Sequence, residues 1–310
     1  MLRPIQVALC FDENYADYAA VASYSTVRNT LGPVDFHWIY TPDAALKVAS
    51  LKRALEGKGG SVKTYCVEDT GFESWREMQH LSRAAYLRLL IPDLVDEEKV
   101  LYLDCDTLVL QDLSQLFAIE LADIDIAGVE VANYVSSVPI SDQYLNSGVL
   151  LMNLASMRRN DFLLECKRIY SSHQNEIKWA DQCIINKFAE GRKLTIPEKF
   201  NMGLPRMSRL REDEFEKIVS DPSTVVLHFA GPVKPWQAWC NPKVIDFWQS
   251  FVGALGIRVD SIQISDSSQA EILMASLDLN ERYKEASMIK TQLIVAYKKQ
   301  ISQLMGANRS

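Results

Sequence analysis

The chain has 310 residues, of which 48% are hydrophobic and 24% charged, with a formal net charge of −7. That is enough apolar residue for a sizeable core, as one large domain with an appendage or two modest domains. A net negative chain argues against a general nucleic-acid binder, which would usually be basic. The six cysteines, Cys10, Cys66, Cys105, Cys166, Cys183 and Cys240, form no Cys-x-x-Cys pair and stand at no metal-ligand spacing with histidine. Scattered through apolar surroundings, they read as reduced thiols of a reducing compartment. No apolar run reaches transmembrane length, and the N-terminal apolar stretch meets Asp12 too early for a signal peptide. The expectation is a cytoplasmic protein.

Residues 5–11 are an apolar strand that ends in Asp12-Glu13-Asn14-Tyr15, and a helix follows over about 18–29. Asp12 suits a turn and is also placed to accept a hydrogen bond from a ribose or base. Residues 34–40 predict a second strand, 43–57 a helix and 61–67 a third strand. The turn Gly57-Lys58-Gly59-Gly60 lacks the following Lys-Ser/Thr of a phosphate loop. A helix is expected over 77–90, stopping before Pro92 and carrying His80, Arg83, Tyr86 and Arg88. Arg88 lies in a strongly apolar run. It either snorkels or pairs with a carboxylate, or it brings a cation to a carboxylate-rich site.

The organising stretch is residues 100–110, Val-Leu-Tyr-Leu-Asp-Cys-Asp-Thr-Leu-Val-Leu. Four apolar or aromatic residues of a buried strand lead into Asp104 and Asp106. In extended chain, residues i and i+2 point to the same side, so both carboxylates can face one point outside the strand end. Two close carboxylates repel unless something positive lies between them, and Mg²⁺ or Mn²⁺ answers that need. A short helix or turn over 111–121 and a strand over 124–131 come next.

In residues 144–153 a small polar cluster, Asn146-Ser147-Gly148, enters a buried strand and permits close approach of the backbone to a ligand. An amphipathic helix is expected over 154–173. A further helix opens near Trp179, with Asp181 and Gln182 in its first turn, where a carboxylate also stabilises the helix N-terminus. Residues 194–202 are an irregular strand and loop, and 211–219 a short charged helix. Residues 225–236 form a strand carrying His228, then a Gly231-Pro232 turn that delivers Lys234 and Trp236. Strand histidines are usually structural, but this arrangement also suits an imidazole ligand and an ammonium for phosphate.

From about residue 258 the character changes. A polar linker over 261–269 precedes one or two helices over about 269–305, with apolar residues at three-, four- and seven-residue spacing and a basic end in Lys290, Lys298 and Lys299. That stripe can fold back on the catalytic domain, pair with a second subunit or lie on an anionic membrane surface. Its spacing favours self-association, with membrane contact second.

Six short motifs in order over residues 5 to about 240 resemble the family 8 glycosyltransferases, which include the bacterial lipooligosaccharide α-galactosyltransferases and glycogenin. They are Asp12 to Tyr15, Tyr86 to Leu89, Val100 to Asp106, Leu145 to Leu154, Asp181-Gln182 and His228 to Trp236. The resemblance implies a GT-A fold, α/β with a Rossmann-like core and a mixed sheet, over residues 1–258; it stops before residues 259–310, which the apolar spacing alone reads as a helical appendage. It implies Mn²⁺, with Mg²⁺ as the alternative, on Asp104, Asp106 and His228. It also implies a UDP-sugar donor, UDP-galactose or UDP-glucose. Tyr15 would stack on uracil, with Asp12 and Asn14 on base and ribose. Gly231 and Lys234 would hold the diphosphate, and Arg88, Asn146 and Ser147 the donor sugar. Asp181 and Gln182, the expected catalytic pair, would contact the donor sugar too. Family members transfer with retention to a glycan, glycolipid or glycoprotein. The family often has Ala where this chain has Ser147. The competing readings are a metal-dependent nucleotidyltransferase, against which the missing Gly-rich basic N-terminal loop counts, and a non-catalytic sugar-nucleotide-binding scaffold.

Overall fold

The computed structural model describes residues 3–68, 71–72, 74–76, 83–131, 143–204 and 209–307. They divide into two compact units, one of residues 1–203, 222–228 and 254–257, the other of residues 204–221, 229–253 and 258–310.

The first unit opens with β1 (Ile5–Phe11), α1 (Ala16–Asn29), β2 (Val34–Tyr40), α2 (Ala45–Glu56) and β3 (Ser61–Cys66). After a 3₁₀ segment at Arg83–Leu90 come α3 (Ile91–Leu94), β4 (Lys99–Leu103), β5 (Thr107–Val109), α4 (Ser114–Phe117), β6 (Ile126–Glu130) and β7 (Leu145–Asn153). Next are α5 (Leu154–Arg159), α6 (Phe162–His173), α7 (Ala180–Phe188), β8 (Lys193–Thr195) and β9 (Met202–Gly203). The last elements of the chain are α8 (Glu212–Ser220), β10 (Val226–His228), α9 (Pro242–Leu255), α10 (Ser267–Leu279) and α11 (Tyr283–Ala307).

Seven strands form one sheet in the order β3-β2-β1-β4-β7-β6-β8. β1 runs parallel to both β2 and β4, while β7 runs antiparallel to β4 and β6. This mixed sheet follows from continuously apolar central strands: β1 is buried at every position, and Val100 to Leu103 are at most 1% exposed. The order 3-2-1-4 reverses direction between β1 and β4, and open α/β sheets bind ligands in the crevice at the carboxyl ends of such strands. A small second sheet, β5-β10-β9, pairs β10 antiparallel to β5, with His228 opposite Thr107, and parallel to β9.

Three expectations change. The 77–90 helix is a 3₁₀ segment over its described part, Arg83–Leu90, while residues 77–82, His80 among them, lie outside the described residues. Over eight residues an apolar pattern cannot separate 3.0 from 3.6 residues per turn. The single helix at 154–173 is broken at Asn160-Asp161, where Asp161 takes the left-handed conformation at φ +49°. Asp tolerates that region through local hydrogen bonding, which apolar periodicity does not register. The segment after Asp106 is a strand of its own, β5, because it pairs with β10.

In the second unit, Trp239, Leu273, Leu277 and Ala286 form a buried cluster flanked by Val233, Ile272 and Ile289. Part of the C-terminal stripe is thus covered by Trp239 and Val233 within its own unit. Asn280 reinforces this: its Oδ1 accepts from the Glu212 N–H at 2.7 Å, and its Nδ2 donates to the Leu210 carbonyl at 3.2 Å. Elsewhere on α11, Tyr283, Met288, Ile294 and Val295 are exposed. No helix among the described residues is long and apolar enough to cross a membrane.

Candidate active site

Asp104 leaves the end of β4, and the chain then turns. Thr107 donates to the Asp104 carbonyl through its backbone N–H at 3.2 Å and its Oγ1 at 2.8 Å. The two carboxylates therefore converge through a turn, not through the extended i, i+2 alternation expected from the sequence. The antiparallel partner β10 brings in the third group: His228 Nε2 lies 3.3 Å from Asp106 Oδ1 and 3.8 Å from Asp104 Oδ2. The ligand atoms of Asp104, Asp106 and His228 all lie within 4.8 Å of one another. Hard carboxylates with one imidazole suit Mn²⁺ or Mg²⁺, so the residues present fit a divalent cation.

Gly148 makes the convergence sterically feasible. A Cβ there would fall 2.3 Å from His228 Cε1 and 2.7 Å from Asp104 Oδ2. β7 carries it beside β4, where the Gly148 carbonyl accepts from the Asp104 N–H at 2.8 Å.

Behind the carboxylates sits Arg88, 6% exposed. It donates from Nη2 to Asp104 Oδ1 at 2.9 Å, pairs through Nε with Asp181 Oδ2 at 3.0 Å, and donates from Nη1 to the Ser147 carbonyl at 2.8 Å. Tyr102 lies under the guanidinium, its ring centroid 4.4 Å away, and its hydroxyl donates to Asp104 Oδ1 at 2.7 Å. Both donors hold Oδ1, so Oδ2 is the oxygen turned to His228. Burial alone would lower the Arg88 pKa, but Asp104 and Asp181 more than reverse this and hold it charged. The apolar surroundings of this arginine thus conceal two ion pairs, with Asp104 and Asp181.

Asp181 lies in the first turn of α7, just after Ala180, which takes φ +40°. It is 3% exposed, and burial pushes its carboxyl up to about 6 despite the opposing pull of Arg88. Gln182 Oε1 accepts from the Ser147 N–H at 2.9 Å. Asp12 Oδ1 accepts from the N–H groups of Asn14 and Tyr15 at 3.0 and 3.2 Å, so the carboxylate shapes the loop after β1 and leads into α1. The Tyr15 phenol is raised, first by burial and then by the charge of Asp106.

Asp12, Asn14, Tyr15, Arg88, Asp104, Asp106, Asn146, Ser147, Asp181, Gln182 and His228 all belong to the first unit. Gly231 and Lys234 belong to the second. There Gly231 turns the chain at φ +105°, and the Lys234 ammonium donates to the Phe229 carbonyl at 2.9 Å. Two participants escaped the sequence reading. Tyr102 was available from its i, i+2 spacing to Asp104. Asn201, whose Oδ1 faces His228 Nδ1 at 2.8 Å, left no signal beyond its place in an irregular loop.

Known proteins bear on this geometry. The model of glycosyl transferase family 8 matches residues 6–240. A probable glycosyl transferase Gly of Streptococcus gordonii is 31% identical over 173 residues, 56% of this chain but only 24% of that protein's own length. General stress protein A of Bacillus subtilis is 25% identical over 254 residues, 76% of this chain and 88% of that protein. A lipopolysaccharide 1,2-glucosyltransferase of Escherichia coli is 27% identical over 297 residues, 90% of this chain and 84% of that protein. In fold, the chain superposes on the galactosyltransferase LgtC, solved with donor and acceptor sugar analogs, at a TM-score of 0.71 and 24% identity, covering 82% of this chain and 98% of that one. The mixed sheet with its flanking helices is accordingly a GT-A fold. With three-quarters of its length matched by the family model, the chain belongs to glycosyl transferase family 8.

Proposed function

We propose that this protein is a retaining, Mn²⁺-dependent hexosyltransferase that moves galactose or glucose from a UDP-sugar to a glycan or glycoconjugate acceptor. The observation that carries the reading is the convergence of Asp104, Asp106 and His228 at the end of β4, where the strand order reverses, backed by the buried Arg88–Asp181 pair. Breaking a sugar–phosphate bond places negative charge on the departing diphosphate. A bound divalent cation supplies Lewis-acid stabilisation of that charge. On this reading Lys234 and the Gly231 backbone meet the diphosphate. Asp12, Asn14 and Tyr15 take the nucleoside at the end of β1.

The chain's other groups serve the sugar. Arg88 and Ser147, with Asn146, line its place, and Asp181 supplies negative charge opposite the developing oxocarbenium ion. Arg88 holds Asp181 Oδ2 at 3.0 Å, which fixes the carboxylate's orientation before the donor arrives. Gln182 is tied to the Ser147 backbone and so shares that alignment. Double displacement and front-face attack both use this arrangement.

A panel of UDP-sugars tested for Mn²⁺-dependent hydrolysis decides the matter. The expected result is turnover of one hexose donor that ceases with chelator and returns with Mn²⁺. Binding of UDP-sugars with no turnover of any would instead establish a non-catalytic binding protein.

A further inference from the structure

A chain of hydrogen bonds fixes which nitrogen of His228 carries its proton. The Gly148 backbone N–H can only donate, so the Asn146 atom 2.9 Å from it is the carbonyl Oδ1. The Asn201 atom 2.8 Å from that oxygen must then be the donor Nδ2. The other Asn201 atom is therefore Oδ1, an acceptor, and it lies 2.8 Å from His228 Nδ1. An amide oxygen cannot donate, so Nδ1 carries a hydrogen, and in the uncharged form of the ring Nε2 is the nitrogen that presents a lone pair. That lone pair faces Asp106 Oδ1 at 3.3 Å and Asp104 Oδ2 at 3.8 Å. An acceptor turned on two carboxylates is unfavourable alone and correct for a cation. The opposite amide setting would place N–H on Nε2 and satisfy the carboxylates internally.

We propose that Asn146 and Asn201 are positioning residues, a relay from the Gly148 backbone that holds His228 in its Nδ1–H tautomer so that Nε2 is presented to a divalent cation. The inference rests on the metal-site reading above. Burial strengthens it: Asn201 is 6% and His228 4% exposed, so solvent has little room to replace the amide. Asn201 is held in turn by its backbone N–H to the Glu198 carbonyl at 2.8 Å and by the β9–β10 pairing that follows it.

The test is ¹⁵N NMR of the imidazoles in metal-free protein at alkaline pH, together with Mn²⁺ titration by calorimetry. The unaltered protein is expected to show Nδ1–H at His228. Asn201→Ala is expected to populate Nε2–H and to weaken Mn²⁺ binding about 10- to 100-fold, the usual range for an outer partner of a ligating histidine. Asn146→Ala, which does not touch the imidazole, is expected to free the Asn201 amide to rotate and give a mixture of tautomers. A merely structural role would leave the tautomer unchanged in both variants. Nε2–H in the unaltered protein overturns the relay whatever the metal result, as does Asn201→Ala with unchanged tautomer and Mn²⁺ affinity. Nδ1–H in a protein that binds no Mn²⁺ overturns the metal reading and leaves the hydrogen-bond relay standing.

Discussion

Gly148→Ala adds a single methyl group, and the geometry sets the size of its effect. The new Cβ would lie 2.3 Å from His228 Cε1, 2.7 Å from Asp104 Oδ2 and 3.0 Å from His228 Nδ1, whereas ordinary contact begins at 3.4 Å. The imidazole must therefore retreat by about 1 Å, the difference between ordinary contact and 2.3 Å. It has little freedom to do so, because His228 is held by its pairing to Thr107 and Gly203 and by Asn201 at Nδ1. Overpacking of this kind costs about 1–3 kcal/mol. Misplacing a reacting geometry by about an ångström costs on the order of 100-fold in rate. The expected result is a folded protein whose melting temperature drops by a few degrees, with Mn²⁺ binding and Mn²⁺-dependent donor turnover reduced about 100-fold. Calorimetry for both melting and metal titration, with a UDP-release assay, measures all three. Gly253→Ala is the control: a Cβ there meets nothing within 4 Å, and no loss of either kind is expected. Unchanged Mn²⁺ affinity and turnover in Gly148→Ala would refute the metal site as drawn.

Asp106→Asn is expected to abolish turnover while leaving the circular dichroism spectrum intact, and near-normal turnover at limiting Mn²⁺ would remove Asp106 from the ligand set. Lys234→Ala is expected to weaken UDP binding more than uridine binding, and equal weakening would show that Lys234 does not read the diphosphate. Asp181 gives a pH dependence. Its folded value of about 6 lies above the ordinary carboxylate value of 3.8. Folding therefore takes up a proton between those values, and this site's contribution to stability is lost as pH rises from about 4 through about 6. Activity runs the other way, since the carboxylate is the useful form: turnover is expected to fall as pH drops through about 6. A pH–rate profile of Asp181→Asn that keeps the same acid limb would assign that limb elsewhere.

What the sequence discloses here is local, and what it withholds depends on pairing. Continuous apolar runs announced β1, β4 and β7, and the polar residues at their ends announced Asp12, Asp104 and Ser147, because strand burial and strand termini leave direct marks on composition. The convergence of His228 on Asp104 and Asp106 depends on β10 lying against β5, a pairing between segments over a hundred residues apart. Nothing in residues 107–110 says that they are a separate strand until that partner is known. The role of Arg88 was open for the same reason, since its two carboxylates come from β4 and α7. Asn201 is the limiting case. Its function resides in amide orientation, set by a backbone N–H from another strand, and no residue pattern encodes that.

The C-terminal helices give the last prediction. Leu273, Leu277 and Ala286 are buried against Trp239, so removing residues 266–310 would uncover an indole that is 7% exposed in the folded protein. Each fully buried leucine contributes about 1.5–3 kcal/mol, so the loss is on the order of 5 kcal/mol, and that truncation is expected to aggregate. A shorter deletion, of residues 290–310, keeps Ala286 and Ile289 on their cluster and separates stability from association. The exposed Ile294 and Val295 go with it, as do Lys290, Lys298 and Lys299. The sequence spacing of this segment favours pairing with a second copy. Light scattering is expected to show an oligomer for the full chain and a monomer, with unchanged melting temperature and donor hydrolysis, for the shortened one. One monomeric mass for both would refute self-association. Sedimentation with anionic liposomes would then be the measurement that assigns the segment to a membrane surface, through loss of binding in the shortened chain.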